Sequence, residues 1–349
     1  MDTKPLFLIL VSAALFGVST PLAKVLLENI DPIVLAGYLY LGAFIGLAIF
    51  TALRHAVQNE TKATPLEKKD IPWLSGAILA GGVLGPISLM FGLRYVSGFA
   101  TSLLLNLEGV ATALIAFLIF KENAGKRVWI ALLFMTIAGI LLSYDPQEST
   151  FIIIGPLLIV FAMICWGIDN NLTRHISEKN PVHISALKGI VAGSISISIA
   201  FFLGKNIILD LSALYALTVG AFSYGISLVL FIKALKGLGS FRTGMFYSFG
   251  PFMGAILSLI LLDEWIGWVM FPATILMVIG VYMVITDKHL HSHDHLGLTH
   301  THAHTHDDEH HLHEHEEEIS GEHSHTHSHE IEEHEHFHWP DSHHRHDHR

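Results

Sequence analysis

LRYVSGFATSLLLNLEGVATALIAFLIFKENAG, residues 93–125, lies without a gap over LKGLGSFRTGMFYSFGPFMGAILSLILLDEWIG, residues 235–267. The identical pairs are Leu93/Leu235, Phe99/Phe241, Thr101/Thr243, Ala113/Ala255, Glu122/Glu264 and Gly125/Gly267. Beyond the identities, both stretches follow one plan: a basic turn, an apolar run, an acidic stop and a glycine. Flanking marks repeat in the same order. Phe16-Gly17 answers Trp166-Gly167, and Asp31-Pro32 answers Asn180-Pro181. Self-similarity of this kind sets the architecture before any single element is assigned.

Working outward, the chain divides into two regimes. Of its 349 residues 51% are hydrophobic, the mean hydropathy is +0.50, and only 15% are charged, against about 25% in an ordinary soluble domain. Residues 1–288 carry 18 basic and 16 acidic side chains, whereas residues 289–349 carry 2 basic and 15 acidic. The body therefore has no basic footprint for nucleic acid. The last 61 residues hold 23 of the 26 histidines. The single cysteine, Cys165, excludes an intrachain disulfide and sits in an apolar run, where a thiol behaves as a small buried hydrophobe.

A bilayer core about 30 Å thick needs roughly 20 apolar residues per helix. Ten segments meet that requirement: 5–27, 32–53, 72–96, 98–120, 126–144, 151–173, 182–203, 212–234, 242–262 and 266–286. Stretches such as FIIIGPLLIVFAMICWG lack the polar stripe of a soluble surface helix, so the fold class is an all-α polytopic membrane protein. With the N-terminus in the cytoplasm, 14 lysines and arginines of the body fall on the inner side. Only Lys24, Arg94, Lys188 and Lys205 fall in the spans or outside, a positive-inside bias. Both termini then lie in the cytoplasm. Five spans per repeat is an odd number, so the second repeat enters from the opposite face. The expected organisation is a first five-helix repeat over 1–145, an inverted second repeat over 146–288, and a histidine-, aspartate- and glutamate-rich tail over 289–349, disordered for want of apolar residues.

The duplicated five-span unit resembles the EamA-type branch of the drug/metabolite transporter superfamily. The likeness is carried by Phe16-Gly17 and Trp166-Gly167 in spans 1 and 6, with Lys121-Glu122 and Asp263-Glu264 after spans 4 and 9. It covers residues 5–286. The resemblance implies a ten-helix basket in the cytoplasmic membrane that moves small organic metabolites, often outward. One position departs from it: where the second copy has Gly250-Pro251, the usual helix-breaking pair of that span, the first copy has Glu108-Gly109.

Glu108 stands about ten residues into a span, near the membrane midplane, where an ionisable group is costly and marks function by default. At helical spacing Thr101, Leu104, Glu108 and Thr112 share a face. The carboxylate either receives a proton or a substrate cation, or it glues two helices together. Lys24, with Gly17 and Thr20 on one face of span 1, either pairs with an anionic group or snorkels to the interface. Asp169 and Asn170 close span 6, and Lys188 enters span 7, so an Asp169–Lys188 ion pair is expected there, structural or gating. The substrate and ion pathway is thus expected from Glu108, Lys24, Thr101, Thr112, Asp169, Asn170 and Lys188.

The tail alternates histidine with Thr, Ser, Asp and Glu. Imidazole suits zinc, nickel, cobalt and copper, and His291, His293, His295, His300, His302, His304, His306, His323, His325, His327, His329, His343, His344, His346 and His348 are the expected non-specific ligands. The body offers no midplane His or Cys cluster and no cofactor site. No GxxxxGK[ST] run points to ATP, and no nucleophile stands beside a base, so an enzyme is not expected. Three functions stay open. The first is a secondary transporter, an exporter, of a small organic metabolite with a metal-binding cytosolic tail. The second is a divalent nickel, cobalt or zinc exporter whose tail collects ions. The third is a membrane-anchored metal buffer or sensor without transport. The expected partners are a small-molecule substrate, the lipid bilayer and divalent metal at the tail; nothing sets the oligomeric state.

Overall fold

With no polar stripe to face water, the body folds as apolar helices that satisfy their own backbone groups, as a bilayer demands. The computed structural model describes residues 3–55, 66–120, 126–145, 150–151, 153–176, 179–264, 267–285, 290–294, 299–304, 323–328 and 333–337. In the body the helices are α1 (Thr3–Gly17), α2 (Ser19–Leu26), α3 (Pro32–His55), α4 (Ile71–Ala77), α5 (Gly85–Tyr95), α6 (Gly98–Leu104), α7 (Leu107–Phe120), α8 (Lys126–Leu142), α9 (Ile154–Arg174), α10 (Pro181–Phe202), α11 (Leu211–Val219), α12 (Ser227–Tyr247), α13 (Gly250–Leu261) and α14 (Met270–Ile285). Seven helical stretches are long and apolar enough to cross a membrane, and three shorter apolar ones occupy the fifth, ninth and tenth places. Together they fill the ten expected places.

Several spans are built from two pieces, and the breaks have local causes. Pro21 has no N–H for Gly17, and the first span divides at Val18 between α1 and α2. Ser97 accepts a hydrogen bond from the Ala100 N–H and so starts α6. The helix end preceding α6 is secured by the Lys24 ammonium, which donates to the carbonyls of Leu93 (2.5 Å) and Val96 (2.8 Å). The duplication reappears in the backbone. Ile78–Leu84 between α4 and α5 is π-helical, and so is Gly220–Ile226 between α11 and α12. The two are offset by 142 residues, the same offset that aligns Leu93 with Leu235.

Helical backbone continues through the expected boundary between spans 8 and 9, inside α12. Yet the Phe231 and Tyr247 rings are 5.0 Å apart, where a straight helix would separate them by about 24 Å. The chain reverses between them, and the two spans stay antiparallel. At the sixth span the helix begins at Ile154 rather than 151, because Thr150–Phe151 pairs with Tyr144–Asp145 as a short antiparallel β1–β2 link between the repeats.

The second span, α3, is the axis of the packing. It lies against α10 and against the π-helical Gly220–Ile226, so close that a Cβ on Gly220 would sit 2.1 Å from the Leu39 carbonyl oxygen. Its duplicate α10 lies in turn against the π-helical Ile78–Leu84. Leu35, Leu39, Leu93, Leu103, Leu104, Met135, Ile159 and Met163 are among the fully buried side chains of the core.

Polar clusters close the two ends of the bundle. At one end Lys205 pairs with Asp31 (3.1 Å), and the Tyr38 hydroxyl donates to the Ile208 carbonyl (2.8 Å). The Glu264 carboxylate there accepts from the N–H groups of Gly98 (2.6 Å) and Phe99 (2.9 Å). At the other end Lys179 bridges Glu67 (3.1 Å) and Asp70 (3.4 Å), while Trp73 stacks on His175 with centroids 4.1 Å apart. Hydrogen bonds from Lys69 and Lys179 hold the Glu67 carboxyl below its ordinary range, and the bond to Glu67 raises Lys179 above its own.

The tail forms a separate unit, Lys288–Arg349. Its described residues pair as antiparallel strands: β3 (Leu290–Asp294) with β6 (Glu333–Phe337), and β4 (Thr299–His304) with β5 (His323–Ser328). The alternation of histidine with Thr and Ser has period two, the period of a strand, and the register sets His300, His302 and His304 opposite His327, His325 and His323. His291 and His293 stand opposite His336 and His334. His295, His306, His329, His343, His344, His346 and His348 lie outside the described residues.

Candidate functional site

The fourth span breaks at Leu105–Asn106, between α6 and α7. Asn106 donates its side-chain amide to the Leu103 carbonyl (3.0 Å), which competes with helix continuation. The restart puts Glu108 in the first turn of α7, where the positive end of the helix dipole favours a carboxylate. The ninth span breaks within one residue of the equivalent place, at Ser248–Phe249, and α13 restarts at Gly250-Pro251 with proline in its first turn. Both repeats thus carry an interrupted helix at midspan, the arrangement by which transporters expose helix ends to a central site.

Glu108 is half-buried, and its Oε1 accepts from the Asn170 amide at 2.9 Å. Asn170 also donates to the Thr112 hydroxyl (3.1 Å), and Thr112 donates to the Glu108 carbonyl (2.9 Å). Beside it Asn171 bridges the Thr112 and Gly167 carbonyls at 3.1 and 2.8 Å. Asn170 and Asn171 therefore tie α9 to α7 side by side. A Cβ on Gly167 would come within 2.9 Å of the Ala111 and Thr112 backbone. Glycine is what lets these two helices meet.

The adjacent Asp169 forms the expected pair with Lys188 (2.5 and 2.6 Å), and the Thr173 hydroxyl donates to the same carboxylate (2.8 Å). The pair lies against the π-helical stretch of span 3, where any Cβ on Gly81 would collide with Asp169 Oδ2. Tyr40 and Trp166 both donate to the Gly81 carbonyl, at 2.7 and 3.0 Å. A π-helical turn shifts the hydrogen-bond ladder by one residue, and such turns gather at functional sites. From Tyr40 an aromatic tract continues through Tyr224 (6.0 Å between centroids), Phe16 (6.1 Å) and Tyr247 (5.4 Å from Phe16). The site thus draws on spans 1, 2, 3, 4, 6, 7, 8 and 9.

The expected residues do not all converge. Glu108, Thr112 and Asn170 form one hydrogen-bonded group, with Asp169–Lys188 next to it. Lys24 is engaged with the Leu93 and Val96 carbonyls at the Glu264 end. Thr101 is fully buried on α6. Among the described residues Lys188 offsets Asp169, while Glu108 forms no ion pair. A half-buried carboxylate in that position can take a proton or the positive part of a ligand. Reading the sequence missed Tyr40, Gly81, Tyr224 and Tyr247. The one available signal was the crowding of Gly76, Gly81, Gly82, Gly85 and Pro86 in span 3, which marks close approach without naming what approaches.

The chain is similar, at 28% identity over 290 residues, to an uncharacterized transporter of Methanothermobacter thermautotrophicus, covering 79% of this chain and 84% of the relative. It is 24% identical over 291 residues to the uncharacterized transporter YetK of Bacillus subtilis, with the same two coverages of 79% and 84%. A solved crystal structure shares the fold with a TM-score of 0.56 at 15% identity, over 81% of this chain and 98% of that one. The EamA-like transporter family matches twice, over residues 3–144 and again over 153–286, one match for each copy of the duplicated unit, and the chain belongs to that family as a multi-pass membrane transporter.

Proposed function

We propose that the protein is a secondary transporter that exports a small organic metabolite across the cytoplasmic membrane, with Glu108 as its central ionisable group. The observation that carries this reading is the lone carboxylate at the midspan break of span 4. It is held by one neutral amide, that of Asn170, which it shares with the Thr112 hydroxyl. The excess of lysine and arginine at the Lys179 end supports a cytoplasmic position for that end and for both termini, so that the Glu264 end faces outward. Two five-helix repeats of opposite sense, 1–145 and 146–288, would alternate access around the shared centre. Reconstituted in liposomes and screened for counterflow of labelled metabolites, the protein exchanges its substrate, and Glu108→Gln abolishes the exchange. Full exchange by Glu108→Gln would overturn the assignment.

The cross-strand register of tail histidines favours a second reading, in which residues 289–349 gather divalent zinc, nickel, cobalt or copper. The tail then either feeds metal to the transporter or senses it. Deletion of 289–349 separates the cases: unchanged metal tolerance and unchanged cellular metal content leave the organic-metabolite reading standing and remove the metal exporter and the metal buffer.

A further inference from the structure

Two hydroxyls in α6, those of Thr101 and Ser102, are fully buried and have no hydrogen-bond partner among the described residues. Inside a lipid-embedded bundle an unmade hydrogen bond is expensive, and serine and threonine usually escape by donating to a carbonyl one turn back. Thr51, Thr112, Ser143, Ser198, Thr218, Ser258 and Thr274 all do so here. Two consecutive exceptions therefore need a reason.

Their helix α6 packs on α13, the contact between the outward halves of spans 4 and 9. Ser102 faces Gly254, whose Cβ, if present, would be 3.0 Å from its hydroxyl oxygen. Gly98, one turn further out, meets Ser258 and Leu262. Above them the Glu264 carboxylate closes on the Gly98 and Phe99 N–H groups. The duplication provides the control. Spans 4 and 9 are each other's copies, so a symmetric molecule would also join α7 to residues 242–249 at the Lys179 end. Among the described residues α7 packs on α9 and α8, and no comparable packing joins it to that segment. Among the described residues spans 4 and 9 pack closely at the Glu264 end and not comparably at the other.

We infer that Thr101 and Ser102 line the outward half of the substrate route, and that the α6–α13 contact latched by Glu264 is its closed external gate. Their hydroxyls are orphaned because this is the closed state; in the open state they meet water or the polar groups of the substrate. Thr101 stands seven residues before Glu108 in the same span, across the break that opens α7, so the route continues inward to the carboxylate. This inference rests on the orientation proposed above, with the Glu264 end outside.

The test is thiol accessibility, which needs no knowledge of the substrate. Cys165 is the single cysteine, so Cys165→Ala provides the background for Thr101→Cys, Ser102→Cys, Ser196→Cys and Asn206→Cys. Ser196 is the other buried orphan hydroxyl, away in α10, and Asn206 is exposed beyond α10. Each variant is treated with a membrane-impermeant charged methanethiosulfonate, in intact cells and in inside-out vesicles. The expected result is slow modification at 101 and 102 from outside, accelerated about tenfold or more when Glu264→Ala removes two charge-assisted hydrogen bonds. Position 196 stays inert throughout. Glu264→Gln, which keeps an acceptor, gives a smaller acceleration and serves if Glu264→Ala does not fold. Should 101 and 102 stay inert with the latch removed while 206 reacts from outside, the gate is wrong and the orientation right. Reaction of 206 only in inside-out vesicles overturns the orientation instead. Equal acceleration at 196 means general loosening and also overturns the gate.

Discussion

Span 4 lies on span 6, and its copy, span 9, lies on span 1; the two interfaces are one design used twice. Both meet through the glycine of the repeated aromatic-glycine mark. A Cβ on Gly167 would press on the Ala111–Thr112 backbone, and one on Gly17 would collide with the Gly250 carbonyl. Chemically they diverge. The interface of spans 4 and 6 holds Glu108, Asn170 and, beside them, the Asp169–Lys188 pair. At the interface of spans 9 and 1 the corresponding positions are Gly250, Thr20, Ser19 and Leu39. Duplication preserved the backbone device, glycine contact beside a broken helix, and let ionic chemistry collect on one copy alone. Helix geometry is constrained at both places by close approach, whereas a charge in lipid is tolerated only where partners exist.

The comparison can be broken most severely at Asp169. Asp169→Asn leaves the Lys188 ammonium buried without its countercharge, and thermal or denaturant unfolding in detergent should show a loss of about 3–5 kcal/mol. Lys188→Met in the same chain should recover most of it. A loss as large from Ser19→Ala, the copy of Asp169, would mean that the two interfaces are not chemically distinct after all.

Next come the glycines. Gly17→Ala should destabilise by about 1–3 kcal/mol or more, because its Cβ would lie 2.2 Å from a backbone oxygen that cannot swing aside. Gly167→Ala, whose Cβ would be 2.9 Å from its nearest neighbours, should lose less. Melting of the two variants side by side checks the order, and the reverse order would show that the span 4 interface is the tighter one.

Asn170→Ala removes the amide shared by Glu108 and Thr112. A hydrogen bond to a charged group contributes about 1.5–3 kcal/mol, so transport per unit of protein should fall about tenfold or more. Stability should change little, since Asn170 is exposed. If Asn170→Ala changes stability and not flux, the amide is only glue between helices.

The smallest effect is expected at the Lys179 end. Glu67 has a depressed pKa, so its contribution is present above its unfolded value and is lost as pH falls through the lower folded value. Lys179 has a raised pKa, so its contribution is complete below its unfolded value and is lost as pH rises through the higher folded one. The stability difference between wild type and Lys179→Met should therefore be flat from about pH 5 to pH 10 and shrink outside that window. A slope near neutral pH would point to a different partner for Lys179.

Much of this was legible in the chain. Glu108 announced itself as an acid inside an apolar span, and Asp169 and Lys188 as opposite charges near one end of spans 6 and 7. The repeat, the ten apolar segments and the odd number of spans per copy are all properties of composition and spacing. The site's wall was not legible. Tyr40, Trp166 and Gly81 share one carbonyl across separations of 41 and 85 residues, and no local pattern in an all-apolar helix says which face meets which. The tail shows the converse case. Its period-two alternation of histidine matches the strands that the described residues form.

Sequence alone determined that the body must enter lipid, that it is two copies of one unit, and that a lone carboxylate sits at midspan, because hydrophobicity, periodicity and charge are carried by the residues themselves. Tertiary structure alone decided that Glu108 is held by Asn170 while Lys24 is spent on two distant carbonyls. It also decided that Glu264 closes over α6, and that among the described residues spans 4 and 9 meet at the Glu264 end. Those outcomes depend on which helices approach closely enough for a side chain to reach, and that is set by packing between segments far apart in the chain.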